Sequence, residues 1–193
     1  MTFSIITPTK ARPTLQRTID SVTPQLQPGD EHILAYSHPL PETLVGKFRT
    51  VRAPAHPKGN LGRDVAMSKA RGDWFIFVDD DDVLLPGALD FARGILKTGH
   101  IYLFQLAGVP NVCSGERFVL TPDRGEVTGG TGGSCLVLPN DGRAPMWRDA
   151  APTQVEQSYD VSYVRAALAI YGEPVWIAQP LVYINPDDSE KLL

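Results

Sequence analysis

Trp74-Phe75-Ile76-Phe77-Val78 runs straight into Asp79-Asp80-Asp81-Asp82. A short unbroken run of aromatic and β-branched residues marks a strand buried on both faces, as strands of a parallel sheet are. Four adjacent carboxylates repel one another, most strongly at the rim of a core, and a bound cation removes that cost. On an extended segment alternate side chains point the same way, so Asp79 and Asp81 converge on one place. Oxygen-only ligands favour Mg²⁺ or Mn²⁺, which share their coordination sphere with substrate phosphates. In open α/β sheets ligands bind beyond the carboxyl ends of the strands, where these aspartates stand. An acidic cap for a helix beginning near Pro86 is the other reading. It suits one or two aspartates better than four.

Outward from this strand, the first half alternates. Phe3 to Ile6 reads as a buried strand stopping at Thr7-Pro8-Thr9, and Pro13 opens a helix with Leu15, Ile19, Val22 and Leu26 at helical spacing. His32 to Tyr36 and Phe48 to Val51 read as further strands. A Pro/Gly-rich loop from Ala53 leads to a helix carrying Leu61, Val65, Ala66 and Ala70, which ends near Gly72. After the acidic run come a helix with Leu89, Ala92, Ile95 and Leu96 inward and a strand from Ile101 to Leu106. This order implies right-handed βαβ units and an α/β fold with a mainly parallel sheet flanked by helices. The second half is less regular. Phe118–Leu120, Cys135–Leu138 and Trp176–Ile184 read as strands and Ser162–Tyr171 as a helix, with a polar tail over 185–193.

A formal net charge of -4 over 193 residues argues against a broad nucleic-acid-binding face. It leaves room for a local basic cleft from Arg49, Arg52, Lys58 and Arg63. The two cysteines, Cys113 and Cys135, have no Cys-x-x-Cys spacing, so a zinc site on them is not expected, and a reduced, cytoplasmic setting is. No signal peptide is read at the N-terminus, and no run of about 18 apolar residues predicts a membrane span.

Ser4-Ile5-Ile6-Thr7-Pro8-Thr9 with Arg12-Pro13, then Gly59-Asn60-Leu61-Gly62-Arg63-Asp64, then Phe77-Val78-Asp79-Asp80-Asp81-Asp82 with Pro86, and finally Tyr171-Gly172-Glu173-Pro174 through Tyr183, follow one another along the chain. In that order they resemble glycosyltransferase family 2, of the GT-A fold with its Asp-x-Asp motif. The resemblance implies one GT-A-like domain over 1–193, with 1–107 as the nucleotide-sugar half, 108–184 as the acceptor half and 185–193 as a tail. It implies that Thr7, Pro8, Thr9 and Arg12 line the nucleotide pocket, that Asp80 lies beside the nucleotide sugar, and that Arg63 meets the diphosphate. Asp79 falls near the ribose or metal and Asp81 is the direct ligand of Mn²⁺ or Mg²⁺. The donor is a nucleotide-diphosphate sugar, with a UDP-sugar preferred.

The sequence departs from the family at two places. Tyr36-Ser37-His38 stands where an acidic residue commonly reads the base; Tyr36 can stack on a base or serve as a core-edge aromatic. Asn185 stands about where relatives carry a late histidine. An inverting transfer needs a carboxylate to take the acceptor proton. In the resemblance the base lies just before the late helix, where Glu156 and Asp160 are the candidates; Asp160 has the better family spacing to Arg165 and reads equally as a plain helix cap, and Asp149 is a third. The Gly129–Gly133 segment lacks the Lys-[Ser/Thr] ending of a phosphate loop. In the resemblance it falls where the acceptor docks, which makes Gly132 and Gly133 acceptor-side residues, and Trp147 an aromatic that can stack on an acceptor. Nucleotidyl transfer and non-catalytic nucleotide-sugar binding are the competing functions. The acceptor stays open among a lipid-carried sugar, a protein, a small molecule and a modified base in nucleic acid, the last disfavoured by the acidic charge.

Overall fold

The computed structural model of the chain describes residues 1–55, 59–110, 117–120, 132–150 and 158–186. Its strands are β1 (Phe3–Thr9), β2 (Glu31–Tyr36), β3 (Arg49–Arg52), β4 (Trp74–Phe77), β5 (Val83–Leu84), β6 (Tyr102–Pro110), β7 (Arg117–Leu120), β8 (Leu136–Pro139) and β9 (Val175–Tyr183). The helices are α1 (Leu15–Val22), α2 (Asn60–Met67), α3 (Ala88–Ile95) and α4 (Tyr159–Tyr171). The strands form one sheet in the order β3-β2-β1-β4-β8-β6-β9-β5, with β7 on β6.

The first-half strands pair in parallel, β1 with β2 and β4, and β2 with β3. Beyond β4 the sheet is mixed. β8 runs antiparallel to both β4 and β6, β9 lies parallel to β6, and β5 runs back against β9. The far edge of β4 is thus filled from the second half of the chain, which seats the acidic strand end in mid-sheet.

Strand parity sorts the core. Ile6, Ile33, Ala35, Phe75 and Phe77 face α2, where Ala66 and Met67 pack on them. Phe3, Ile5, Trp74, Ile76 and Val78 face the other way, toward Val22, Ala88, Leu89 and Ala92. Leu34 packs on Leu15 and Ile19 of α1. The chain enters β4 through Gly72, where a Cβ would fall 2.5 Å from the Phe3 carbonyl carbon and the Ser4 nitrogen. Only glycine lets the backbones approach this closely. The first helix is shorter than its apolar spacing predicts, because Thr23–Gln25, with Pro24, tightens into a 3₁₀ turn. No helix among the described residues is long and apolar enough to cross a membrane.

His32 is fully buried in β2. Its Nε2 lies 2.9 Å from the Thr7 hydroxyl, and its Nδ1 has no hydrogen-bond partner among the described residues. Burial pushes its pKa from 6.5 down to about 3. Between those values the unfolded chain binds one proton more than the folded one, so stability is full above pH 6.5 and falls as pH drops. The slope is about 1.4 kcal/mol per pH unit. Urea unfolding at pH 7.5 and pH 5.0 is expected to show His32→Gln losing about 2 kcal/mol less than wild type. Equal losses would show that His32 does not carry this pH dependence.

Candidate functional site

Asp79 to Asp82 form a tight turn, closed by the Asp82 N–H on the Asp79 carbonyl at 3.1 Å, rather than the extended segment expected from sequence. Side chains alternate all the same. Those of Asp79 and Asp81 are 39% and 29% exposed, whereas Asp80 and Asp82 are each 4% exposed. One face of α1 holds the turn by its backbone. The Thr14 hydroxyl donates to the Asp80 carbonyl at 2.7 Å, Arg17 Nη2 to that of Asp81 at 3.1 Å, and the Thr18 hydroxyl to that of Asp82 at 2.7 Å. Residues 14, 17 and 18 share a helix face, so the helix grips successive peptides and leaves the carboxylates to act.

The buried pair act inward. Asp80 Oδ2 accepts from the Thr9 hydroxyl at 2.7 Å and the Lys10 N–H at 3.2 Å, and Arg12 Nη1 lies 3.5 Å from its Oδ1. Asp80 therefore organises the loop after β1, where Ala11 takes a positive φ of 63°. Asp82 Oδ1 accepts the Asn185 N–H at 2.9 Å, which ties the turn to the chain leaving β9. Burial and then the nearby Asp79 charge raise the Asp82 pKa well above the carboxylate range.

The outward pair each meet an arginine. Asp81 pairs with Arg12, and Asp79 with Arg63. Burial, with Asp79 and Asp80 close by, still raises the Asp81 pKa, against the pull of Arg12. These residues open on a cleft of about 370 Å³ at the carboxyl ends of β1, β2 and β4, where Pro8, Thr9, Ala35, Ser37 and Gly62 also lie. Ser158, Tyr159 and Asp160, at the start of α4, line the same cleft.

Several expected site residues lie elsewhere. Thr7 is wholly buried against His32, and Tyr36 lines a second pocket of about 540 Å³ with Leu40, Leu44 and Phe48. Within the strands the cause is parity: Pro8 and Ala35 face the α2 side that forms the cleft, so Thr7 and Tyr36 face away, while Thr9 reaches the cleft from the end of β1. Trp147, expected to stack on an acceptor, has no free face. It is fully buried, stacked on Tyr163 at 3.8 Å and covered by Arg63, whose Cζ lies 4.5 Å from its ring centroid. Gly132 lies beside Leu106. A Cβ on Gly133 would fall 2.6 Å from the Trp147 ring and 3.4 Å from Asp160 Oδ1. Asp149 is exposed, and it is not among the residues lining the cleft. Glu156 and Lys58 lie outside the described residues.

Sequence reasoning missed Asp64. It is 2% exposed, and it accepts the Trp147 N–H at 2.7 Å, the Arg148 N–H at 3.2 Å and Arg148 Nε at 3.0 Å. On the same helix face Asn60 Nδ2 reaches the Trp147 carbonyl at 3.4 Å. The spacing of Asn60, Arg63 and Asp64 was the available signal, since i, i+3 and i+4 share one face of α2.

Residues 4–90 match the family model described as glycosyl transferase family 2. No curated protein matches the chain in sequence. Among solved structures, S. aureus TarS 1-349 superposes with a TM-score of 0.70 at 15% identity, over 96% of this chain and 60% of that one. The same TarS segment in complex with UDP-GlcNAc gives 0.67 at 15% identity, over 100% and 60%. Glucosyl-3-phosphoglycerate synthase from Mycobacterium tuberculosis, in complex with Mn²⁺, UDP and glucosyl-3-phosphoglycerate, gives 0.60 at 15% identity, over 99% and 73%. At such identity the likeness is one of fold, and the chain spans 60% of the length of TarS 1-349. Through residues 4–90 the chain resembles glycosyl transferase family 2, and the frame carrying that stretch is the GT-A fold of its structural relatives.

Proposed function

We propose that the protein transfers a sugar from a nucleotide-diphosphate donor, a UDP-sugar in preference, to an acceptor hydroxyl by direct displacement with inversion. One observation carries this reading: Asp79 and Asp81 stand at the carboxyl end of β4, each paired with an arginine, on the cleft that Asp160 also lines. The solved relatives with UDP-GlcNAc, and with Mn²⁺ and UDP, support the choice of donor and ion.

The residues suit a hard divalent cation. Asp79 and Asp81 offer carboxylate oxygens only, and burial, with the Asp79 and Asp80 charges close by, disfavours the ionised state of Asp81. Among the described residues no three His, Cys, Asp or Glu side chains gather into a metal set. Two carboxylates alone would suit Mn²⁺ or Mg²⁺, which takes its remaining oxygens from phosphates and water. When bound, the ion neutralises charge on the departing diphosphate.

The chain's own residues supply the rest. Arg12 and Arg63 exchange their carboxylate partners for phosphate oxygens, so no bare charge is left in the cleft. Asp160, in the first turn of α4, takes the acceptor proton. Pro8, Ala35 and Ser37 form the cleft wall against which the nucleoside lies. Gly132 and Gly133 stand on the acceptor side.

Thermal unfolding against a panel of nucleoside diphosphates, with and without Mn²⁺, tests this reading. At a hundredfold excess over its dissociation constant a ligand of the folded state adds about 2.7 kcal/mol, a rise in Tm of about 5–10 °C at this chain length. The largest rise is expected with UDP and Mn²⁺ together. No rise with any diphosphate, in folded protein, would overturn the reading.

A further inference from the structure

Trp147 is fully buried behind Arg63, which lines the cleft. Its ring is stacked on Tyr163 with an interplanar angle of 7°, and Phe77 stands edge-on to both at 5.2 and 6.1 Å. On another side Gly133 leaves no room, since a Cβ there would fall 2.6 Å from the ring. The backbone of the 3₁₀ turn Trp147–Asp149 is fixed to α2 by Asp64 and Asn60. The ring is therefore enclosed by its neighbours, and the guanidinium of Arg63 lies over it, 4.5 Å from its centroid.

An arginine 4% exposed has to have its plane set by something. Asn60 Oδ1 reaches Nη1 only at 3.5 Å, and Asp79 takes Nη2. In the exchange proposed above, the carboxylate is the contact that a diphosphate replaces. The aromatic face is a contact that stays.

We propose that Trp147 is a positioning residue for donor binding: its face fixes the plane of Arg63, so that the fork of the guanidinium already points at the place of the diphosphate. This rests on the reading that a nucleoside diphosphate occupies the cleft. A lysine has no plane to be fixed, so the effect is specific to arginine. Trp147 itself does not touch the donor.

A double-mutant cycle on the affinity for UDP with Mn²⁺ tests it. Trp147→Leu is expected to weaken binding about tenfold in the otherwise wild-type protein and less than about twofold in the Arg63→Lys background. Trp147→Phe, which keeps an aromatic face, restores most of the loss. If Trp147→Leu does not fold, Trp147→Phe carries the cycle, with a loss of about threefold confined to the Arg63 protein. A second measurement needs no change at Trp147. The Arg63 Nε proton, assigned as the resonance missing in Arg63→Lys, is expected upfield of exposed arginines through the ring current. Losses that are equal in the two backgrounds, or an unshifted Arg63 resonance, overturn the proposal and leave the donor reading standing. Wild-type protein that binds no UDP with Mn²⁺ overturns the donor reading and this proposal together.

Discussion

Asp81→Ala is expected to leave the fold as stable as the parent and to reduce transfer from a UDP-sugar at least about 100-fold. The two halves of that result have separate causes. Asp81 is desolvated and lies near Asp79 and Asp80, so its charge is held at a cost that alanine removes. Arg12, its partner, is 47% exposed and turns to solvent without penalty. An exposed pair of this kind is worth about 0–1 kcal/mol, so the change in Tm is small. In turnover the loss is of charge stabilisation on the leaving diphosphate. A deficit of about 3 kcal/mol there corresponds to about a hundredfold in rate. Initial rates at saturating Mn²⁺, read beside Tm, check both halves. A kcat/KM within about threefold of the parent would remove Asp81 from the proposed metal site.

Asp64→Ala is expected to do the reverse and strike stability first. The carboxylate is buried and accepts two backbone N–H groups of the turn that carries Trp147. Hydrogen bonds to a charged group are worth about 1.5–3 kcal/mol each, and the Trp147 N–H is left buried without an acceptor. Arg148, half exposed, recovers water. A loss of about 3 kcal/mol follows, or about 6–12 °C in Tm. Asp64→Asn keeps an acceptor oxygen and should cost about half as much. Urea midpoints of the three proteins decide the matter; an Asp64→Ala midpoint within error of the parent would mean that the turn is held by Asn60 and packing alone.

Much of this molecule was legible in its sequence, and the reasons are local. The apolar run into β4 and the alternation before it sufficed to place β1 to β4, α1 and α2. The acidic run marked the strand end on charge alone. What was not legible depends on which face of a strand a helix covers. Thr7 and Pro8 are adjacent and similar as loop residues, yet one touches His32 in the core and the other lines the cleft. Parity along β1 is fixed only once α2 is docked. Trp147 failed for a related reason. An aromatic between the Gly-rich segment and Glu156 reads as able to stack on an acceptor until Asp64, 83 residues earlier, is seen holding its backbone. Asp82 could not be told from its three neighbours, since its distinguishing contact is with Asn185. Asp160 lines the cleft because α4 begins at Tyr159 and places its first turn there.

The bond from Asn185 to Asp82 spans 103 residues. During synthesis the stretch that carries the family resemblance, residues 4–90, leaves the ribosome well before the strands that complete it. At that moment β4 has one neighbour instead of two, and β5 has none. An open edge of apolar strand is a template for pairing with other chains. The stretch that matches the family model therefore leaves a strand edge open until β8 and β9 arrive.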